Sequence, residues 1–149
     1  MMPTMSPSQE GEAALLASKN FPAEEKVLPQ VTAFVLEAAE AAGLAPARRP
    51  HLELMAEEVF INICRYAYKE PSGEVSLRLE EGAGLLWLIF IDRGLPFDPM
   101  DQAAPDLASG LEERPVGGLG LFLTMRLTTE LSYRRAEGLN ILKLGLVKA

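Results

Sequence analysis

The sequence predicts an α+β protein of two layers, an α/β sandwich with helices packed on one face of a mixed, mostly antiparallel sheet. Three observations carry this. Strand-like segments come in adjacent pairs, 74–79 with 85–92 and 129–135 with 140–147, rather than alternating singly with helices. Two long stretches with apolar residues spaced by three and four come before those pairs. The run from Leu85 to Asp92 is almost continuously apolar, a pattern that needs cover on both faces or nearly so.

Residues 1–11 are rich in Met, Pro, Ser and Gly without periodicity, which predicts a mobile tail ahead of a single domain over 12–149. Ala13 to Ser18 reads as a short strand. Asn20 or Pro22 can start the first helix, which should run to about Ala42 and stop at Gly43, the residue type favoured just past a helix end. A second helix begins at Pro50, whose missing N–H costs nothing in a first turn, and continues to about Lys69 before Pro71-Ser72-Gly73 breaks it. Leu52, Met55, Val59, Ile63 and Tyr66 form its buried stripe. In the first strand pair, Val75, Leu77 and Leu79 alternate with polar residues. From Gly94 to Val116 there are four prolines, several acids and no sustained period, which predicts a long loop of the kind that often serves as a functional lid. A helix over 118–127 and a last strand pair turned at Glu137-Gly138 complete the chain.

At 149 residues the chain is long enough to bury a core without disulfides or metal. Apolar residues at 48% and charged residues at 23% exclude a disordered chain. A formal charge of −7 argues against direct binding of nucleic acid, which needs clustered Lys and Arg, and favours a protein partner or a small ligand. The single cysteine, Cys64, cannot form an internal disulfide and reads as a small buried hydrophobe, so a cytoplasmic setting is expected. No apolar run approaches the roughly 20 residues that span a bilayer, and the start MMPTMSPSQE lacks the features of a signal peptide. No membrane association is expected.

Three short segments carry the chemistry. Glu58 and Asn62 lie four apart on the second helix, on adjacent positions flanking its stripe, so both can address one ligand. An amide oxygen suits a hard cation such as Mg²⁺, and a nearby carboxylate could accept a proton from an attacking hydroxyl. The bland alternative is a pair of solvated helix-edge residues. Asp92 directly follows the apolar strand, and Gly94 permits a close approach of backbone to ligand; a carboxylate there can accept from an exocyclic amine such as adenine's, although Asp and Gly also simply favour turns. Gly117, Gly118 and Gly120 open the third helix, either as an anion site of unobstructed N–H groups or as a glycine hinge packing a helix closely. A dinucleotide fingerprint is excluded because Leu123 occupies the third glycine position, and no Walker Gly-Lys-Ser/Thr follows.

Read together, Glu57-Glu58-Val-Phe-Ile-Asn62-Ile-Cys-Arg-Tyr-Ala-Tyr68, Asp92-Arg-Gly-Leu-Pro-Phe-Asp-Pro99 and Leu111-Glu-Glu-Arg-Pro-Val-Gly-Gly-Leu-Gly-Leu-Phe122 resemble the N, G1 and G2 boxes of the GHKL ATPases, and more narrowly the anti-sigma factor serine kinases. The resemblance spans about residues 13–148, including the ending Leu131-Ser-Tyr-Arg-Arg-x-x-Gly-x-Asn140-x-Leu-x-Leu. It implies a Bergerat-fold sandwich with ATP between the helical layer and the lid. By motif position Asn62 would bind Mg²⁺, Glu58 would be the catalytic base, and Asp92 with Gly94 would hold the adenine. The turn Gly117-Gly118-Leu119-Gly120 would meet the phosphates through its N–H groups, with Arg114 of the lid as a phosphate partner. The resemblance further implies a protein serine/threonine kinase that phosphorylates a small anti-anti-sigma protein of the STAS type and sequesters a sigma factor or analogous output protein, often as a homodimer. Tyr66 stands where that family usually has His. The rival expectation is a non-catalytic binding module of the same fold, with nucleotide absent or only a conformational ligand.

Overall fold

The computed structural model describes residues 13–69, 73–98 and 118–149. Strand β1 (Ala14–Pro22) leads through a 3-10 turn (Glu25–Val27) into helix α1 (Leu28–Ala41), and a second 3-10 turn (Pro46–Arg48) leads into α2 (Arg49–Tyr66). Then come β2 (Glu74–Gly82), β3 (Leu85–Asp92), α3 (Gly118–Leu127), β4 (Glu130–Ala136) and β5 (Leu139–Val147). The strands form one five-stranded sheet in the order β1-β2-β3-β5-β4, and each neighbouring pair is antiparallel. β3 and β5 are therefore adjacent at the centre although α3 and β4 separate them in the chain. The predicted tail over 1–11, most of the predicted lid and the Pro71-Ser72 break lie outside the described residues.

The first helix starts later than expected. Instead of turning at Asn20 or Pro22, the chain stays extended: Phe21 pairs with Val75 and is buried, and the Ser76 hydroxyl donates to the Asn20 side chain at 2.6 Å. Proline at the last position of this edge strand costs no needed donor. Helix α1 begins only at Leu28, with Pro29 in its first turn. Its other end matches expectation. Gly43 takes a φ of +88°, and the N–H groups of Gly43 and Leu44 reach the carbonyls of Glu40 and Ala39, a Schellman closure whose following residue, Leu44, is buried.

All three helices lie on one face of the sheet. Val31, Val35, Leu52, Met55, Phe60 and Leu121 pack against the inward side chains of the strands, among them Leu77, Leu88, Phe90 and Leu144, in one cluster. Alternation in β2 follows directly from Glu74 to Leu79, with Val75, Leu77 and Leu79 buried, and lapses at Glu80, which is also buried and paired with Arg78 at 2.8 Å. The stripe of α2 is wider than the spacing suggested, since Ala56 and Phe60 join Leu52, Met55, Val59 and Ile63. Tyr66 does not belong to it: at the last residue of the helix it is 45% exposed. On the opposite face of the sheet a smaller cluster of Ile89, Ile91, Leu139 and Ile141, flanked by Trp87, accounts for the unbroken apolar character of β3.

Truncating Phe60, which is fully buried, to Ala should cost about 3–5 kcal/mol in denaturant unfolding, whereas Leu15→Ala, at a position 54% exposed, should stay within about 0.5 kcal/mol. Equal losses would contradict the assignment of the core.

Candidate functional site

Sheet register builds the site. Asp92 closes β3 and pairs with Asn140 near the start of β5, both on the helical side of the sheet and both buried. A buried carboxylate needs donors, and Asp92 has two: the Gly94 N–H at 2.8 Å and the Asn140 Nδ2 at 2.9 Å, both on Oδ1. Burial pushes the Asp92 carboxyl above its ordinary range, while these two donors and the positive charge of Arg135 pull it back. Asn140 also donates to the Leu95 carbonyl at 2.8 Å and accepts from the Tyr133 hydroxyl, and Arg135 donates to the Gly94 carbonyl at 2.7 Å.

The turn after Asp92 is clamped from the other side by the end of α2. Leu95 N–H donates to the Ala67 carbonyl at 2.7 Å, and a Cβ on Gly94 would stand 2.4 Å from that same oxygen. Glycine is required there by the close approach of two backbones. Tyr68 adds a second tie, its hydroxyl donating to the Glu74 carbonyl at 2.6 Å and accepting from the Arg93 N–H at 2.9 Å.

Between α2, the β3 end and α3 lies a cleft of about 400 Å³ including its open mouth. Asn62 and Asp92 contribute polar groups to it, Val59, Ile63, Leu121 and Leu142 an apolar lining, and Tyr133 and Asn140 line it as well. This combination of an apolar slot with a few convergent polar groups is what a planar heterocycle requires. Glu58 sits one turn before Asn62 on α2, outside the lining residues. Burial raises its carboxyl above the ordinary range, opposed by the charge of Arg65, whose guanidinium is held by Glu25 through bonds of 3.2 and 3.1 Å. Cys64, on the same helix, is half-buried and its thiol is pushed up to about 12, chiefly by burial, which disfavours the thiolate.

Gly118, Leu119 and Gly120 form the first turn of α3, from which Leu121 reaches the cleft. Arg114 and Gly117 lie outside the described residues. The structure thus brings Asn62 and Asp92 to one cleft, places Gly94 in the bonding of Asp92, and sets Glu58 and the α3 start at its borders. Among the described residues no group of three or more His, Cys, Asp and Glu side chains could cage a metal. The donor set still fits Mg²⁺, a hard ion commonly held by one or two protein oxygens together with phosphates, and Asn62 offers such an oxygen.

Residues 21–146 match the histidine kinase-like ATPase domain. The chain belongs to that family. Among curated proteins it is similar to the serine-protein kinase RsbW of Bacillus cereus (strain AH820), 28% identical over 95 residues that cover 61% of this chain and 59% of the relative. The RsbW of Bacillus anthracis (strain A0248) aligns with the same identity and coverage. The match therefore spans somewhat over half the length of these relatives. Among solved structures, the RsbU and RsbW domains of Rv1364c from Mycobacterium tuberculosis superpose with a TM-score of 0.59 at 15% identity, covering 88% of this chain and 32% of that one. At that identity the likeness concerns the fold. Among the described residues, no helix is long and apolar enough to cross a membrane.

In this histidine kinase-like ATPase domain, sequence reasoning assigned no role to Asn140, Tyr133 or Arg135. A signal for Asn140 exists, a lone amide between Leu139 and Ile141 in an apolar strand, but its meaning depends on a β3–β5 register that the sequence does not state.

The raised Asp92 carboxyl makes a prediction about stability. Between its unfolded value and its higher folded value, the folded state binds more protons than the unfolded one, so stability falls as pH rises through that window. Asp92→Asn keeps an oxygen for both donors and removes the charge. Thermal unfolding should show the variant at least as stable as the parent at pH 7, with its relative advantage shrinking as pH falls toward the ordinary carboxylate value of 3.8. A parent that gains on the variant as pH rises from 4 to 7 would contradict this.

Proposed function

We propose that this chain is a Mg-ATP-dependent protein serine kinase of a partner-switching circuit, phosphorylating an anti-anti-sigma protein of the STAS type and sequestering a sigma factor or analogous output protein. The observation that carries the reading is the convergence of Asp92 and Asn62 on one apolar cleft, in a domain similar to RsbW serine-protein kinases. Asp92 accepts from the adenine amine while the apolar lining holds the ring. Asn62 offers its side-chain oxygen to the metal, which when bound supplies charge neutralisation for the phosphates. N–H groups at the start of α3, an end of partial positive charge, face phosphate oxygens, with Gly117 and Arg114 completing the set. Glu58 takes the proton from the substrate serine hydroxyl, a task suited to a carboxylate whose basicity burial has increased. Gly94 shapes the base-binding turn through its packing on Ala67. The chain works in the cytoplasm, alone or as a homodimer.

A phosphotransfer assay with labelled Mg-ATP and a panel of STAS-domain proteins from the source genome tests the reading. Label should appear on a serine of one of them. Glu58→Ala should lower the rate by about 100-fold or more while ATP affinity stays within about threefold. Bound ATP without transfer to any STAS protein, or Glu58→Ala as active as the parent, would favour the rival binding module.

A further inference from the structure

We infer that Asn140, braced by Tyr133, is a positioning and specificity-determining residue that locks Asp92 into reading a 6-amino purine and rejecting a 6-oxo purine; the inference rests on the nucleotide reading of the cleft. Every polar atom of the Asn140 amide is committed. Nδ2 carries two hydrogens and faces Asp92 Oδ1 at 2.9 Å and the Leu95 carbonyl at 2.8 Å. Oδ1 accepts from the Tyr133 hydroxyl, which in turn is hydrogen-bonded to the backbone of Phe97. The amide cannot turn over, because a reversed Asn140 would set its oxygen against two other oxygens.

The consequence falls on Asp92. With the Gly94 N–H and Asn140 both on Oδ1, that oxygen is spent, and among the described residues no donor reaches Oδ2. Since Asp92 lines the cleft, Oδ2 is the acceptor left for a ligand. An exocyclic amine satisfies it. A 6-oxo group would oppose oxygen to oxygen, and Asn140 has no spare hydrogen to offer in compensation. The pairing of Asp92 with Asn140 across the two central strands makes the arrangement stiff, and the Arg135 bond to the Gly94 carbonyl at 2.7 Å keeps the turn from drifting. A freely rotating carboxylate beside an uncommitted amide would discriminate less, because either group could reorient toward either base.

The test is a binding cycle by calorimetry with ATP, GTP and purine riboside triphosphate, which carries hydrogen in place of the amine, on the full chain and its Asn140→Ala and Tyr133→Phe variants. Loss of a hydrogen bond to a charged group predicts that Asn140→Ala weakens ATP by about 10- to 100-fold. Purine riboside triphosphate should change by less than about threefold, and the ATP-to-GTP preference should fall with the ATP loss. Tyr133→Phe should shift the same ratios in the same direction by about three- to fivefold, and it decides the matter should Asn140→Ala fail to unfold cooperatively. Losses equal for all three nucleotides would assign Asn140 and Tyr133 a merely structural role and overturn the inference alone. A parent chain that binds none of the three would overturn the nucleotide reading and this inference with it.

Discussion

The buried carboxylate of Asp92 is the constraint around which the rest of this domain is arranged. A charge removed from water must be matched by donors or it shifts toward the neutral form. Among the described residues the matching falls on one oxygen, which is held by Gly94 and Asn140, and burial still raises the group above its ordinary range. Such a site is stable only if its neighbours are rigid. That rigidity comes from its place at the end of a central strand, from the α2 terminus clamped to the following turn through Ala67, and from Tyr68, which ties α2 to both β2 and the residue after Asp92.

The same economy appears in α2. Its wide apolar stripe anchors it to the sheet, which fixes the rotation of the helix and so the direction of its flank. Asn62 then lines the cleft, and Glu58 lies one turn earlier where burial raises its carboxyl. Packing energy on one face of the helix thus sets the geometry of chemistry on its edge. Fully exposed, the two residues would be ordinary helix-surface groups; beside a packed stripe Asn62 lines the cleft and Glu58 is partly buried one turn away.

Much of this was legible in the amino-acid sequence, and the exceptions have physical reasons. The bounds of β3 and α3 and the turn at Glu137-Gly138 follow from local signals: an apolar run ending in Asp, glycines opening a helix, and a two-residue turn whose residues both take positive φ. The start of α1 was misplaced because Asn20 and Pro22, good helix starters in isolation, are captured by pairing with β2 some fifty residues away. Tyr66 matched the spacing of a buried stripe but falls where the helix ends, so periodicity alone overstated its burial. Asn140, Tyr133 and Arg135 were invisible as site residues for a related reason. Their contact with Asp92 and Gly94 depends on β5 inserting beside β3, a non-local pairing that no local pattern encodes.

The central claim is that this cleft reads adenine through one free oxygen of a pinned aspartate, with Asn62 on the metal side. A crystal structure of the chain with Mg²⁺ and a non-hydrolysable ATP analogue tests it most directly. The account predicts the adenine amine about 3 Å from Asp92 Oδ2, with Oδ1 still bonded to Gly94 and Asn140 and the Asn62 oxygen on the metal. A base bound away from Asp92, or an Asp92 turned so that Oδ1 meets the ligand, would contradict it.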